Sequence, residues 1–150
     1  MIIWDQNLQN SDYFKQIKPE LEDFSRNGLF LPLSLSGEPS YEYLSILLDK
    51  IDMNKFDGIV SVGGGSVMDI GKALALLASN PTNPKMLKGF PVNLNVPLPH
   101  VTVPSVLGSG AEASFNAVFI DEAEGHARKI LKKYIKHLHS LAKALLEFET

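Results

Sequence analysis

Three consecutive glycines and a serine, Gly63-Gly64-Gly65-Ser66, have the residue types and spacing that suit phosphate binding. Glycine lets the backbone approach a ligand closely, and the first amide N–H groups of a helix carry partial positive charge. Apolar β-branched residues precede the glycines, and apolar residues at helical spacing follow them, which predicts a strand, a turn and a helix. We expect Ser66 to cap this helix or to bond a phosphate through its hydroxyl.

Two charged residues, Asp69 and Lys72, follow Ser66 by three and six positions. Both fall within the first two turns of the predicted helix, where each can approach a ligand held at the helix start. The alternative is a solvent-exposed ion pair at i,i+3, which is common and weak. Likewise, three glycines on their own also fit a simple strand-to-helix turn without any ligand.

The pattern GGGSxxDxxK resembles the signature of the iron-containing (group III) alcohol dehydrogenase family. A second segment, Pro-Ser-Val-Leu-Gly-Ser-Gly-Ala-Glu at residues 104–112, resembles the Pro-Thr-Thr-Ala-Gly-Thr-Gly-Ser-Glu-like loop of that family. Val106 departs from the pattern by lacking a hydroxyl, and Ala111 stands at the usual serine. The resemblance runs from about residue 1 to about residue 130.

This resemblance implies an α/β fold, with a Rossmann-like parallel sheet and helices on both faces. Such a fold corresponds to the nucleotide-binding half of a dehydroquinate synthase-like fold. The implied function is that of an oxidoreductase, interconverting an alcohol and an aldehyde or ketone by hydride transfer with NAD or NADP. The cofactor-binding residues that the resemblance implies are Gly63, Gly64, Gly65, Ser66, Asp69, Lys72, Ser105, Gly108, Ser109 and Gly110.

Family members also use a divalent metal, iron or zinc, that polarises the alcohol oxygen. The resemblance places its ligands in a later helical domain, and no position of this sequence matches them. His137 and His139 are spaced i,i+2, so on a helix they point to different sides. We therefore assign no metal ligand and no catalytic residue, and we expect the isolated chain to be inactive as a dehydrogenase.

The choice between NAD and NADP stays open from the sequence. Enzymes that prefer NAD often carry an acidic residue at the end of the second strand, where it binds the ribose hydroxyls. That position falls at Leu33, with Ser34 and Ser36 close by. Glu38 is the nearest carboxylate, but it matches the start of the next helix.

The elements that position these residues alternate along the chain, which predicts a parallel sheet covered by helices. Strands are predicted at residues 1–4, 29–35, 58–62, 100–103 and 115–120, and helices at residues 13–24, 38–51 and 66–79. Pro32 weakens the second strand or places it at an edge of the sheet. Residues 80–100 are rich in proline and asparagine, which predicts a long irregular loop.

Residues 1–127 are predicted to form a dinucleotide-binding domain that lacks its N-terminal start, and residues 128–150 an amphipathic helix that is atypical for the family. Residues 1–127 carry 15 acidic and 8 basic side chains, whereas residues 128–150 carry 6 basic and 2 acidic ones. The acidic domain argues against nucleic acid as a partner. No signal peptide and no apolar run of membrane-spanning length are found, so we expect a cytoplasmic protein without a membrane partner.

Two other functions remain open from the sequence. The chain can be a non-catalytic dinucleotide-binding fragment, or a subunit completed by another chain or by self-association through the apolar stripe of residues 130–145. It can also belong to a lyase such as a dehydroquinate synthase-like enzyme. The Gly-Ser-Gly-Ala-Glu segment at residues 108–112 argues against the lyase, because it resembles the dehydrogenase loop.

Overall fold

Strands and helices alternate through residues 1–25, 28–89, 91–106 and 108–125, which are the residues that the computed structural model describes. The elements are β1 (Ile2–Asp5), α1 (Asp12–Phe24), β2 (Phe30–Leu33), α2 (Tyr41–Lys50), β3 (Ile59–Gly63), α3 (Gly65–Ser79) and β4 (His100–Pro104). Short 3-10 turns occur at Gln6–Asn10, Met53–Lys55 and Pro84–Leu87. The last of these lies in the segment predicted as an irregular loop, where the Asn83 side chain accepts from the Lys85 N–H.

The four strands form one parallel sheet in the order β2-β1-β3-β4. Strand β2 is an edge strand, as Pro32 predicted, and its last residue Leu33 pairs in register with Asp5 of β1. On the other side of β1, the end of β3 pairs with the end of β4 through Gly63 and Pro104. The carboxyl ends of all four strands therefore meet at one edge of the sheet.

Helices cover both faces of the sheet. Successive side chains of each strand point to opposite faces, so the apolar strands present apolar side chains on both faces. On one face, Ile3 and Ile59 are buried among side chains of α2 and α3. On the other face, Ile2, Trp4 and Val62 are buried together with Phe14 of α1. The α/β prediction with helices on both faces is thus confirmed.

The predicted strand at residues 115–120 is wrong. Ile120 forms one isolated parallel bridge with Ser40, and no ladder involves the rest of the segment. Two of its backbone groups are instead bound by side chains, since the Val118 N–H donates to Asp69 and the Asn116 carbonyl accepts from Lys72. Of its apolar side chains, Phe115, Val118 and Ile120 are exposed and only Phe119 is partly buried, so the apolar composition of the segment does not indicate a strand.

The chain divides into two compact units, Met1–Ile120 and Asp121–Thr150. The predicted boundary at residue 127 and the predicted amphipathic helix at residues 128–150 lie outside the described residues and stay predictions. Among the described helices, none has the length and apolar character needed to cross a membrane.

Candidate functional site

Three loops meet where the strands end. The loop after β4 begins with the Ser105 N–H donating to the Gly63 carbonyl at 2.9 Å. The loop after β2 is reached by Ser66, whose hydroxyl donates to the Gly37 carbonyl at 2.9 Å. Strand β2 lies on one side of β1, whereas β3 and β4 lie on the other side. The order of the strands therefore reverses between β1 and β3, and open α/β sheets bind ligands at such a switch point, outside the carboxyl ends of the strands.

The start of α3 lacks a side-chain cap. Gly64 occupies the N-cap position and makes no side-chain hydrogen bond, whereas Ser11 caps α1 and Ser40 caps α2. The carbonyl of Gly64 accepts from the N–H groups of Val67 and Met68. Among the described residues, no hydrogen bond uses the N–H groups of Gly65 and Ser66, so both can donate to an anion.

The prediction that Ser66 caps the helix is wrong, because the N-cap is two residues earlier. The hydroxyl of Ser66 donates its proton to Gly37, so in this conformation it offers a phosphate only its lone pairs. Its backbone N–H remains the group that faces the site. The contact instead ties the loop after β2 to the first turn of α3.

Close packing around Gly63 brings Asp5 to the site. A Cβ atom at Gly63 would lie 3.0 Å from the Cβ of Val67 and 3.1 Å from the Cβ of Asp5, so a side chain there would be crowded. Asp5 ends β1 beside Leu33, the position at which an acidic residue was sought in the sequence. Sequence reasoning missed Asp5, although a carboxylate directly after an apolar first strand was the available signal.

The loop after β4 comes near the glycines of the first motif. A Cβ atom at Gly65 would lie 3.7 Å from Ser109 and from Ala111, an ordinary van der Waals distance. Gly108 and Gly110 have φ angles of 109° and 65°, which strongly favour glycine. Ser105 and Ser109 are exposed at this edge, and the Ser109 hydroxyl accepts from the Ala111 N–H at 3.3 Å. The two predicted motifs therefore adjoin each other.

Asp69 and Lys72 form an ion pair at 3.0 Å with side-chain exposures of 12% and 14%. The alternative of a solvent-exposed pair is thus wrong. Each partner makes a further bond, since Asp69 Oδ2 accepts from the Val118 N–H at 3.1 Å and Lys72 Nζ donates to the Asn116 carbonyl at 2.7 Å. Both charged groups are bound within the protein, on the side of α3 that faces residues 116–118.

A model of the iron-containing alcohol dehydrogenase family matches residues 1–144. The chain belongs to this family. Curated relatives include a hydroxyacid-oxoacid transhydrogenase of Xenopus laevis, described as mitochondrial and 33% identical over 79% of this chain and 27% of that protein. A sulfoacetaldehyde reductase of Bilophila wadsworthia is 31% identical over 79% of this chain and 31% of its own length. A probable alcohol dehydrogenase of Salmonella typhimurium is 35% identical over 59% of this chain and 22% of its own length.

Solved structures of a dehydrogenase and a reductase share the fold. An NADH-dependent butanol dehydrogenase A from Thermotoga maritima superposes with a TM-score of 0.67 at 19% identity, over 82% of this chain and 31% of that one. A sulfoacetaldehyde reductase from Bifidobacterium kashiwanohense in complex with NAD+ superposes with a TM-score of 0.61 at 20% identity, over 81% of this chain and 32% of that one. This member of the family thus spans between a fifth and a third of the length of these relatives.

The half-buried His100 of β4 forms a polar pair with the buried Ser61 of β3, with 2.8 Å between Nε2 and Oγ. This bond joins the side chains of two neighbouring strands, β3 and β4. Burial, and in second place the positive charge of Lys72, lowers the pKa of His100 below its ordinary value. The other three histidines lie outside the described residues.

Stability is therefore expected to fall as the pH drops below about 6.5, the ordinary pKa of histidine. The unfolded chain then binds a proton that the folded chain binds only at lower pH, so protonation favours unfolding. Urea unfolding of the native chain and of His100→Gln at pH 7.5 and 5.5 measures this effect. We expect the native chain to lose more stability on acidification than the variant, and identical losses would contradict the assignment.

Proposed function

We propose that this chain is the NAD(P)-binding part of an alcohol dehydrogenase that interconverts an alcohol and an aldehyde or ketone. The observation that carries the proposal is the uncapped start of α3, which lies between two glycine-containing loops at the carboxyl edge of the sheet. A helix start without its own cap leaves N–H donors for an anion. In this fold the anion at that place is the pyrophosphate of a dinucleotide.

The backbone groups of the first motif bind the pyrophosphate. Gly64 leaves open space, since among the described residues no atom other than those of its chain neighbours lies within 4 Å of a Cβ built there. The N–H groups of Gly65 and Ser66 donate to phosphate oxygens, while Gly63 keeps β3 close to α3. On the opposite side, Ser105 and Ser109 offer hydroxyls, and Gly108 and Gly110 let the backbone approach the cofactor. The resemblance implies that Asp69 and Lys72 also belong to the cofactor site, while their own bonds join them to each other and to residues 116–118.

The bound nicotinamide supplies the hydride chemistry, and this chain's residues bind and orient it. No described residue is proposed as a general acid or base. The iron site implied by the family does not fit the residues present, because no group of three His, Cys, Asp or Glu side chains within the described ranges is placed to hold a metal ion. We accordingly propose that residues outside this sequence supply the metal ligands and that the chain alone is inactive.

The proposed substrate is a small alcohol or its aldehyde or ketone. Its identity depends on a pocket that the proposed cofactor site adjoins but does not form. Completion by another chain is proposed as one way in which the active enzyme is assembled, and self-association is proposed as a separate property of this chain. Cytoplasmic location stays a prediction from the sequence.

Asp5 favours NAD over NADP in this proposal. Its carboxylate lies at the edge where the adenosine ribose is expected, and it repels a 2′-phosphate while accepting from a 2′-hydroxyl. Asp5→Asn is expected to tighten NADPH binding relative to NADH about tenfold, or about 1.4 kcal/mol. Glu38→Gln removes an exposed carboxylate of the neighbouring loop and serves as the matched control. An unchanged NADPH-to-NADH ratio in Asp5→Asn would contradict this role.

Titration of the 150-residue chain with NADH and with NADPH tests the proposed function. Trp4 is the sole tryptophan of the sequence and directly precedes Asp5, so energy transfer from Trp4 to the reduced cofactor reports occupancy. We expect weak but saturable binding of at least NADH, without alcohol oxidation by the isolated chain. The absence of binding by both cofactors would remove the proposal, and turnover by the isolated chain would contradict its predicted inactivity.

A further inference from the structure

We propose that Asp69 and Lys72 are positioning residues, which hold residues 116–118 against α3 and so fix the loop after β4 beside the glycines of the first motif. The inference rests on the proposed function, because it concerns the same cofactor site. It differs from the role implied by the resemblance, in which both side chains lie beside the cofactor. Here they act on the cofactor site through the protein backbone.

Besides the ion pair, both side chains form hydrogen bonds with the backbone of residues 116–118. Asp69 uses one carboxylate oxygen for Lys72 and the other for the Val118 N–H at 3.1 Å. Lys72 donates to Asp69 at 3.0 Å and to the Asn116 carbonyl at 2.7 Å. Because each bond to the segment involves a charged group, it is stronger than a bond between neutral partners.

The segment needs such anchors because it lacks a ladder partner. At its start, the Ser105 N–H is bound to Gly63, and at its end the Ile120 N–H donates to the Pro39 carbonyl at 2.9 Å. Between these two points, the described residues contain no strand and no α-helix. A connection of this length without secondary structure is typically functional or disordered. The Asp69–Lys72 pair anchors the connection at residues 116–118, between the turn at Ser109–Ala111 near Gly65 and the bond made by Ile120.

Burial makes the two residues act as a unit. Removal of either charge leaves the other buried without its partner, which is more harmful than removal of both. Asp69→Asn keeps an oxygen that can accept from Val118 but loses the ion pair, whereas Lys72→Arg keeps the charge and can reach both acceptors. The conservative variants thus separate the anchoring bonds from the charge.

Amide hydrogen exchange and NADH titration of the full 150-residue chain test the inference. In Lys72→Met we expect the Val118 amide to exchange at least tenfold faster, NADH affinity to fall about tenfold, and the amide signals of Ser109 and Gly110 to shift. Lys72→Arg should restore all three. Lys15→Met breaks the exposed i,i+3 pair with Asp12 and is the matched control, for which no change is expected.

The outcomes distinguish the positioning role from other roles. Weaker NADH binding with unchanged Val118 exchange would assign Lys72 to direct cofactor contact and overturn the inference. Faster Val118 exchange without a shift of Ser109 and Gly110 would overturn it as well. If Lys72→Met does not fold, the same readouts decide in the double variant Asp69→Leu/Lys72→Met, which removes both buried charges and the acceptor of the Val118 N–H. If the native chain binds no cofactor, the proposed function fails, and the exchange and shift data still decide whether the pair positions the loop.

Discussion

Gly64→Asp is expected to stabilise the chain and at the same time to weaken dinucleotide binding at least tenfold. The substitution places an N-cap carboxylate at a helix start that has no side-chain cap. Aspartate at this position is favoured over glycine by a few tenths of a kcal/mol, and its charge adds about 0.3–1 kcal/mol with the helix dipole. The same carboxylate accepts from the N–H groups proposed for the pyrophosphate and repels it. Unfolding by urea and titration with NADH measure the two effects.

Opposite signs for stability and binding are the diagnostic result. Binding should fall at least tenfold, while the free energy of unfolding rises. Gly64→Asn is the matched control, because it can form the same cap without the negative charge, and we expect an intermediate loss of affinity. Native-like NADH affinity in Gly64→Asp would show that the start of α3 does not bind the cofactor.

Gly71→Ala is expected to destabilise the chain by about 1–3 kcal/mol, the usual cost of overpacking a core. A Cβ atom at Gly71 would collide with the hydroxyl of Ser61 and would lie 2.5 Å from Nε2 of His100. Helix propensity alone predicts the opposite sign, since alanine within a helix is favoured over glycine by about 1 kcal/mol. The sign of the change in unfolding free energy therefore decides between crowding and propensity.

The same substitution in a second variant of the chain tests the cause of the expected loss of stability. In a chain with Ser61→Ala and His100→Ala, the two groups nearest to the added Cβ are removed. The same Gly71→Ala substitution should then cost at least about 1 kcal/mol less than in the native chain, because neighbouring sites are not additive. Gly64→Ala, where the added methyl group meets open space, is the control. An equal cost of Gly71→Ala in both backgrounds would contradict crowding by the Ser61–His100 pair.

Local patterns predicted most of the fold. The apolar spacing and the glycine turn indicated β3 and α3 to within one residue, and Pro32 correctly indicated an edge strand. What could not be read locally depends on partners distant in sequence. Asp5 reaches the site only through the register of β1 with β2 and β3. Asp69 is buried and accepts from the N–H of Val118, which lies 49 residues later in the chain.

The amide chemical shifts of the 150-residue chain, followed during titration with NAD+, show directly whether the start of α3 binds the pyrophosphate. We expect the largest shifts at Gly65 and Ser66, whose N–H groups donate to the pyrophosphate, with smaller shifts at Ser109 and Gly110. Saturation should occur at the same NAD+ concentration for all four signals. Binding of NAD+ that leaves Gly65 and Ser66 unshifted would contradict the account.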